Sequence, residues 1–281
     1  MSIEDININY TENTDSILVR NNISTKPWKT SLITSITILV LLLTWEVITF
    51  FEWIQPLYLP SPQAVIYKLW DVATEGYMDS TLGQHLIASL MRIGLALLIA
   101  IIIAIPVGLA IGLSTTARAI FDPLIEFYRP VPPLAYLPLI VIWFGIGELS
   151  KVLLIFLAIF APIVVSTAAG VLRIDKVRIR MAQSLGGNRW QIVRYIIIPS
   201  VLPDILTGIR IGLGAGWSTL VAAELIAATQ GLGYMIQSAS QFLITDLVIA
   251  GISVIAIIAY VLEILLRYLQ KKLVPWQGLS H

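Results

Sequence analysis

The chain has 281 residues, 57% of them hydrophobic and 12% charged, with a formal net charge of +1 and a mean hydropathy of +0.86. A soluble domain carries about 25% charged residues, so this composition reads as an integral membrane protein. With no cysteine and two histidines, His85 and His281, the sequence offers neither a disulfide nor a thiolate or histidine metal centre.

Residues 1–30 are polar, with four acids followed by Arg20, Lys26 and Lys29. The long polar lead, with no small-residue cleavage site after the next apolar run, reads as a loosely ordered tail rather than a signal peptide. Six apolar segments follow, near 31–51, 89–113, 124–144, 152–172, 205–228 and 247–266. Each is long enough for a hydrocarbon core of about 30 Å. Six spans place both termini in the cytoplasm, with thirteen lysines and arginines in inner segments and two, Lys68 and Lys151, in outer ones. That asymmetry is what topology by positive charge requires. The predicted organisation is a tail over 1–30, a first transmembrane helix in 31–58, an outer loop over 59–88, a core over 89–266 and a tail over 267–281.

In the outer loop Pro56, Pro60 and Pro62 break the chain, and Ser61 to Thr74 reads as a short interfacial helix carrying Tyr67 and Trp70. This segment is acidic, with Glu52, Asp71, Glu75 and Asp79. In the second span Arg92 is placed to snorkel outward, while Pro106, Gly108 and Gly112 bend the helix and admit a close neighbour. Pro130, Pro132, Pro133 and Pro138 cannot share one regular helix, so the third span is expected to be irregular near its cytoplasmic end. In the fifth span Gly208, Gly212, Gly214 and Gly216 offer small-residue packing, followed by Trp217, Ser218 and Thr219. Glu263 lies near the inner end of the sixth span, and Trp276 is placed as an interface anchor.

The least apolar part of the core is 172–203, LRIDKVRIRMAQSLGGNRWQIVRYIIIPSVLP, with six basic residues and one acid. Asp175 is the expected N-cap of a helix to Leu185, ended by a left-handed residue in Gly186-Gly187-Asn188. A second helix is expected from Arg189 to about Ile197, stopping at Pro199. Ile179, Ala182 and Gln183, then Ile192, Tyr195 and Ile196, give each helix one apolar side. A loop of this kind needs a partner, or is a solvated basic loop that sets topology.

This stretch resembles the EAA loop of ABC importer permeases, EAA-x3-G-x9-I-x-L-P. The triplet falls on Arg180-Met181-Ala182, the glycine on Gly186, the isoleucine on Ile196 and the proline on Pro199. Here the usual glutamate is Arg180 and the usual leucine is Ile198. The strings FYRPVPPLAYLPLIVIWFGIGE, TGIRIGLGAGWSTLVAAELIAAT and VPWQG are similar to those of the sulfonate, nitrate and taurine branch. The resemblance implies an all-α, six-span type I importer permease in the bacterial inner membrane, importing taurine or, alternatively, an alkanesulfonate or nitrate. It also implies a second copy of the chain, two ATP-hydrolysing subunits docked on 172–203 through Gly186, Gly187, Asn188 and their neighbours, and a periplasmic binding protein above. ATP and magnesium would then belong to the partner subunits: no GxxxxGK[ST] occurs here, no cofactor is expected in this chain, and nucleic acid is not a partner.

Charges inside spans are functional candidates. Arg129 and Arg210 could meet a sulfonate, whose oxygens match a guanidinium, or snorkel to lipid phosphate. Glu224 could meet an ammonium or cap an irregular helix. Trp217, Ser218, Thr219 and Glu224 are expected to face a cavity on the dimer axis. Glu126 lies beside Arg129, and Glu46 is expected at the interface. Arg210 and Glu224, fourteen residues apart on one helix, stand about 21 Å apart and cannot grip one small zwitterion. An ion-coupled secondary transporter is the rival class. It predicts internal repeats, and none is evident between 31–144 and 152–266. A channel filter and an enzyme's paired catalytic groups are likewise not evident.

Overall fold

The structure, a computed structural model, describes residues 27–275. The expectations for the tail before Pro27 and for Trp276 fall outside the described residues. Among those described the chain is helical, with one isolated antiparallel bridge between Tyr77 and Ser80.

Helix α1 spans Pro27–Phe50. It is followed by α2, Pro62–Thr74, whose Ser61 hydroxyl accepts the Ala64 N–H at 3.2 Å, with Pro62 in the first turn, where its missing N–H costs nothing. Helix α3, Leu82–Leu113, opens with a reciprocal cap between Thr81 and Gln84. Helix α4, Thr115–Tyr128, is capped by Ser114.

The proline cluster then breaks the third span. After Tyr128 a 3-10 turn, Pro133–Tyr136, leads into α5, Leu137–Phe144, and the two halves meet at 90°. Pro130, Pro132 and Pro133 supply no N–H, and Pro132, which precedes Pro133, is extended at ψ 129°, whereas Pro138 is tolerated in the first turn of α5.

Helix α6, Glu148–Leu172, occupies the centre of the bundle. In its most apolar stretch 56% of residues are buried, against none in that of α1. Short α7, Lys176–Ser184, and α8, Arg189–Ile192, follow, and a five-residue π segment, Val193–Ile197, joins α8 to α9, Ile198–Ala227. The helix therefore does not stop at Pro199. The Ile198 N–H reaches back five residues to the Val193 carbonyl, and Pro199 follows directly in the first turn of α9. Helix α10, Leu232–Gln241, caps one end of the bundle, and α11, Thr245–Leu273, runs its length. Among the described residues five continuous helices, or six counting the bent pair as one, are long and apolar enough to cross a membrane.

Helix α6 packs between α3 and α9. Ala96, Ala100 and Ala104, every fourth residue of α3, are fully buried in that core. A Cβ at Gly108 would lie 2.6 Å from Thr167 Cβ, and Gly112 abuts Val171. On α9, Gly208, Gly212 and Gly216 touch α6 in the same way, while Gly214 faces open space and is not part of that seam. Lipid is as apolar as leucine, so this close backbone approach and the dispersion contacts it allows hold the three helices together.

Candidate functional site

The 173–203 loop is built from local rules. Asp175 caps α7, accepting the Val177 N–H at 2.8 Å. At the far end Leu185 is the C-cap, and Gly186 takes φ +84°. The Gly187 N–H reaches the Ala182 carbonyl at 2.9 Å and the Gly186 N–H that of Gln183 at 3.0 Å, the paired bonds of a Schellman turn. Asn188 and Gln191 then cap α8 reciprocally, at 2.8 and 2.9 Å. The Gln three residues after Asn188 was the sequence signal for this second cap.

One side of the loop rests on the bundle: Ile174, Ile179, Ala182 and Val193 pack against the core, and Ile192 and Ile197 are buried in it. Gln183 and Tyr195, expected on that side, are exposed, and Ile197 takes the inward place. The π segment re-phases the helix, so a 3.6-residue spacing drawn through Tyr195 misplaces it. The opposite face presents Val177, Met181 and Trp190, together with Leu185, which is 88% exposed. Arg178, Arg180 and Arg189 are also exposed there. Arg173 pairs with Asp204 across the two strands of chain that enter and leave the loop.

At the other end of the bundle, four charges meet. Arg92 does not snorkel: it is 5% exposed and is held from three sides. Its Nε and Nη2 donate to Glu148 at 2.6 and 2.8 Å, and its Nη1 donates to Glu224 at 2.6 Å and to the Gln230 carbonyl at 2.7 Å. Lys151 pairs with Glu148 at 2.8 Å, which leaves the group electrically balanced. An arginine buried near the end of an apolar span must find such partners, because a bare buried charge is costly.

Glu224 is 1% exposed. Its two oxygens also accept the Ser89 hydroxyl, at 2.8 and 3.0 Å, and the Gly233 N–H at 2.8 Å. The turn Gly231–Gly233 wraps the carboxylate so closely that a Cβ at Gly231, where φ is +135°, would stand 2.5 Å from it. The first amides of α10 are thereby satisfied: Leu232 donates to Ser89 Oγ at 2.9 Å and Gly231 to His85 Nδ1 at 3.1 Å. Because that nitrogen accepts, the His85 proton sits on Nε2, which donates to the Tyr77 carbonyl at 3.1 Å.

The remaining expected path residues do not converge. Trp217 and Thr219 are buried, the Trp217 N–H has no partner among the described residues, and Thr219 bonds back to the Ala215 carbonyl at 3.0 Å. Ser218 is exposed beside Ile211, Gly214 and Ala215 on the free face of α9. Glu224 lies in the closed cluster and not on that face, so these four residues share no common surface within one chain. Arg210 pairs with Glu263 at 3.2 Å, and Glu263 also holds Arg267 at 2.9 Å. Arg129 is exposed, lining with Asp122 and Glu126 a cavity of about 210 Å³ between α3, α4 and α6. Glu46 accepts from Gln63 at 2.7 Å, tying α1 to α2. On α2, Lys68 bonds to Asp71 at 2.7 Å, which draws the Asp71 carboxyl below its ordinary range and raises Lys68.

Residues 96–275 match the family described as the binding-protein-dependent transport system inner membrane component. The chain belongs to this family. As a family member it is a multi-pass inner membrane protein with the type I importer permease fold, and it works with ATPase and binding-protein partners. The taurine transport system permease protein TauC of Escherichia coli (strain K12) is 60% identical over 86% of this chain and 88% of its own length. The putative aliphatic sulfonates transport permease protein SsuC of the same organism is 36% identical over 84% and 89%. The riboflavin transport system permease protein RibX of Chloroflexus aurantiacus is 34% identical over 86% and 89%.

Proposed function

We propose that the chain is the permease subunit of an ATP-driven taurine importer, acting as a homodimer over two ATPase subunits and fed by a binding protein. The observation that carries the substrate is the 60% identity, along almost the whole of both chains, with a protein named for taurine transport. An aliphatic sulfonate is the second reading, favoured by the 36% relative. Both termini face the cytoplasm in this reading, supported by the thirteen-to-two split of basic residues.

The loop docks on the ATPase through Val177, Met181, Leu185 and Trp190, flanked by Arg178, Arg180 and Arg189. Its underside is fixed to the bundle, so a push on this face moves the ends of α6 and α9. The substrate path runs along the face of α9 that carries Gly214, Ala215 and Ser218, closed by the second copy. ATP and magnesium bind in the partner subunits alone. The test is ATP hydrolysis by the reconstituted complex with its binding protein. Taurine stimulates it more than an alkanesulfonate or nitrate does; stimulation by nitrate or an alkanesulfonate in place of taurine reassigns the substrate.

A further inference from the structure

Helices α6 and α9 are fastened along their whole length in three different ways. In the middle, Gly208, Gly212 and Gly216 bring the α9 backbone onto α6, where an added Cβ would stand 2.7 to 2.9 Å from Ser166 or Ile159. At Gly208 and Gly212 α6 backbone atoms lie within about 3 Å of that position, and at Gly216 the Ile159 side chain fills the gap. At the loop end Arg173 pairs with Asp204, and Asp204 packs on Gly170. At the α10 end Arg92 of α3 joins Glu148, in the first turn of α6, to Glu224, in the last turn of α9. The same carboxylate takes an amide from the first turn of α10.

Two helices that meet through glycines alone can splay at their ends or slide one residue past another. An ion pair at each end opposes those freedoms: the exposed Arg173–Asp204 pair only weakly, the Arg92–Glu224 pair strongly, because splaying there would strand a buried charge. We propose that the Arg92–Glu148–Glu224 cluster welds the ends of α3, α6, α9 and α10 into one rigid body, so that displacement of the 173–203 loop reaches the opposite membrane face without slack. Glu224 is then a positioning residue for transport and not a ligand of the solute. Its oxygens already accept from Ser89, Arg92 and Gly233, and an arriving ammonium would have to displace Arg92.

The inference rests on the reading that this loop receives the stroke of the ATPase subunits, so the wild-type complex is measured first. If it shows no ATP-dependent taurine uptake in proteoliposomes, that reading falls. If it does, Glu224→Gln decides the inference. The carboxamide keeps the size of the side chain but loses the charge that Arg92 requires. The expected result is an assembled complex that hydrolyses ATP, with uptake per ATP lowered about tenfold and half-saturating taurine unchanged. An unchanged uptake per ATP overturns the inference. So does a raised half-saturating concentration at an unchanged ratio, which would make Glu224 a ligand. Should E224Q fail to assemble, Glu148→Gln replaces it, since the Glu148 side chain is 63% exposed and tolerates the change. E148Q then lowers uptake per ATP and Glu148→Asp restores it; a wild-type ratio in E148Q overturns the inference.

Discussion

The Ala182 carbonyl accepts the Gly187 N–H at 2.9 Å across the turn between α7 and α8, with Gly186 left-handed between them at φ +84°. This turn sets the angle at which α7 is presented. A β-branched residue at 186 is strained in that region by about 1–3 kcal/mol. Gly186→Val is expected to reach the membrane and fold, yet co-purify with much less ATPase subunit than wild type. Normal subunit recovery and normal transport would refute this role for the turn.

The exposed apolar face of α7 makes a separate prediction. Met181 and Leu185 are 61% and 88% exposed, so a charge there disturbs no packing within the chain. Met181→Glu and Leu185→Glu are expected to leave the melting temperature of the isolated subunit within a degree or two. Both weaken its association with the ATPase subunits at least about tenfold, which corresponds to 1.4 kcal/mol. Titration of labelled subunit in detergent measures both effects.

Glycines on α3 and α9 differ by what they touch. A Cβ at Gly212 meets the Ile159 carbonyl at 2.9 Å, whereas one at Gly94 meets none of the described residues within 4 Å. Gly212→Leu therefore forces α6 and α9 apart and is expected to cost at least about 1–3 kcal/mol. Gly94→Ala only removes helix-interior glycine and is expected to stabilise by about 0.5–1 kcal/mol. Thermal unfolding of the two variants, compared with wild type, separates packing from propensity.

Much of this was written locally. Ser61 and Asp175 announced the starts of α2 and α7, and Gly186 the end of α7, because caps and left-handed turns depend on three or four consecutive residues. The proline cluster announced a break in the third span, but its 90° angle depends on how α5 packs on α6. The stop expected at Pro199 failed for a local reason of another kind: a π turn, with no clear sequence mark, precedes the proline and lets the helix continue. The same turn moved Tyr195 outward. The charge cluster was the least legible part. Arg92 lies 56 residues from Glu148 and 132 from Glu224, so no window along the chain holds the pairing. What the sequence did contain was one arginine and one glutamate buried in separate apolar spans, each needing an opposite charge.

That mutual need yields a stability prediction. Arg92→Met leaves Glu224 without its cation in an apolar site and is expected to destabilise the subunit by about 3–5 kcal/mol. Adding Glu224→Gln to Arg92→Met removes the stranded charge and is expected to recover part of that loss. Strict additivity of the two single variants in chemical unfolding would mean that they do not act as a pair.

The most direct check on the account is uptake of labelled taurine by proteoliposomes holding this chain, with the binding protein outside and ATP inside. Uptake is expected only when the ATPase subunits are present, and it is expected to vanish when their ATP is replaced by a non-hydrolysable analogue. Taurine accumulation by this chain alone, driven by an ion gradient, would contradict the claim that the 173–203 loop serves a separate motor.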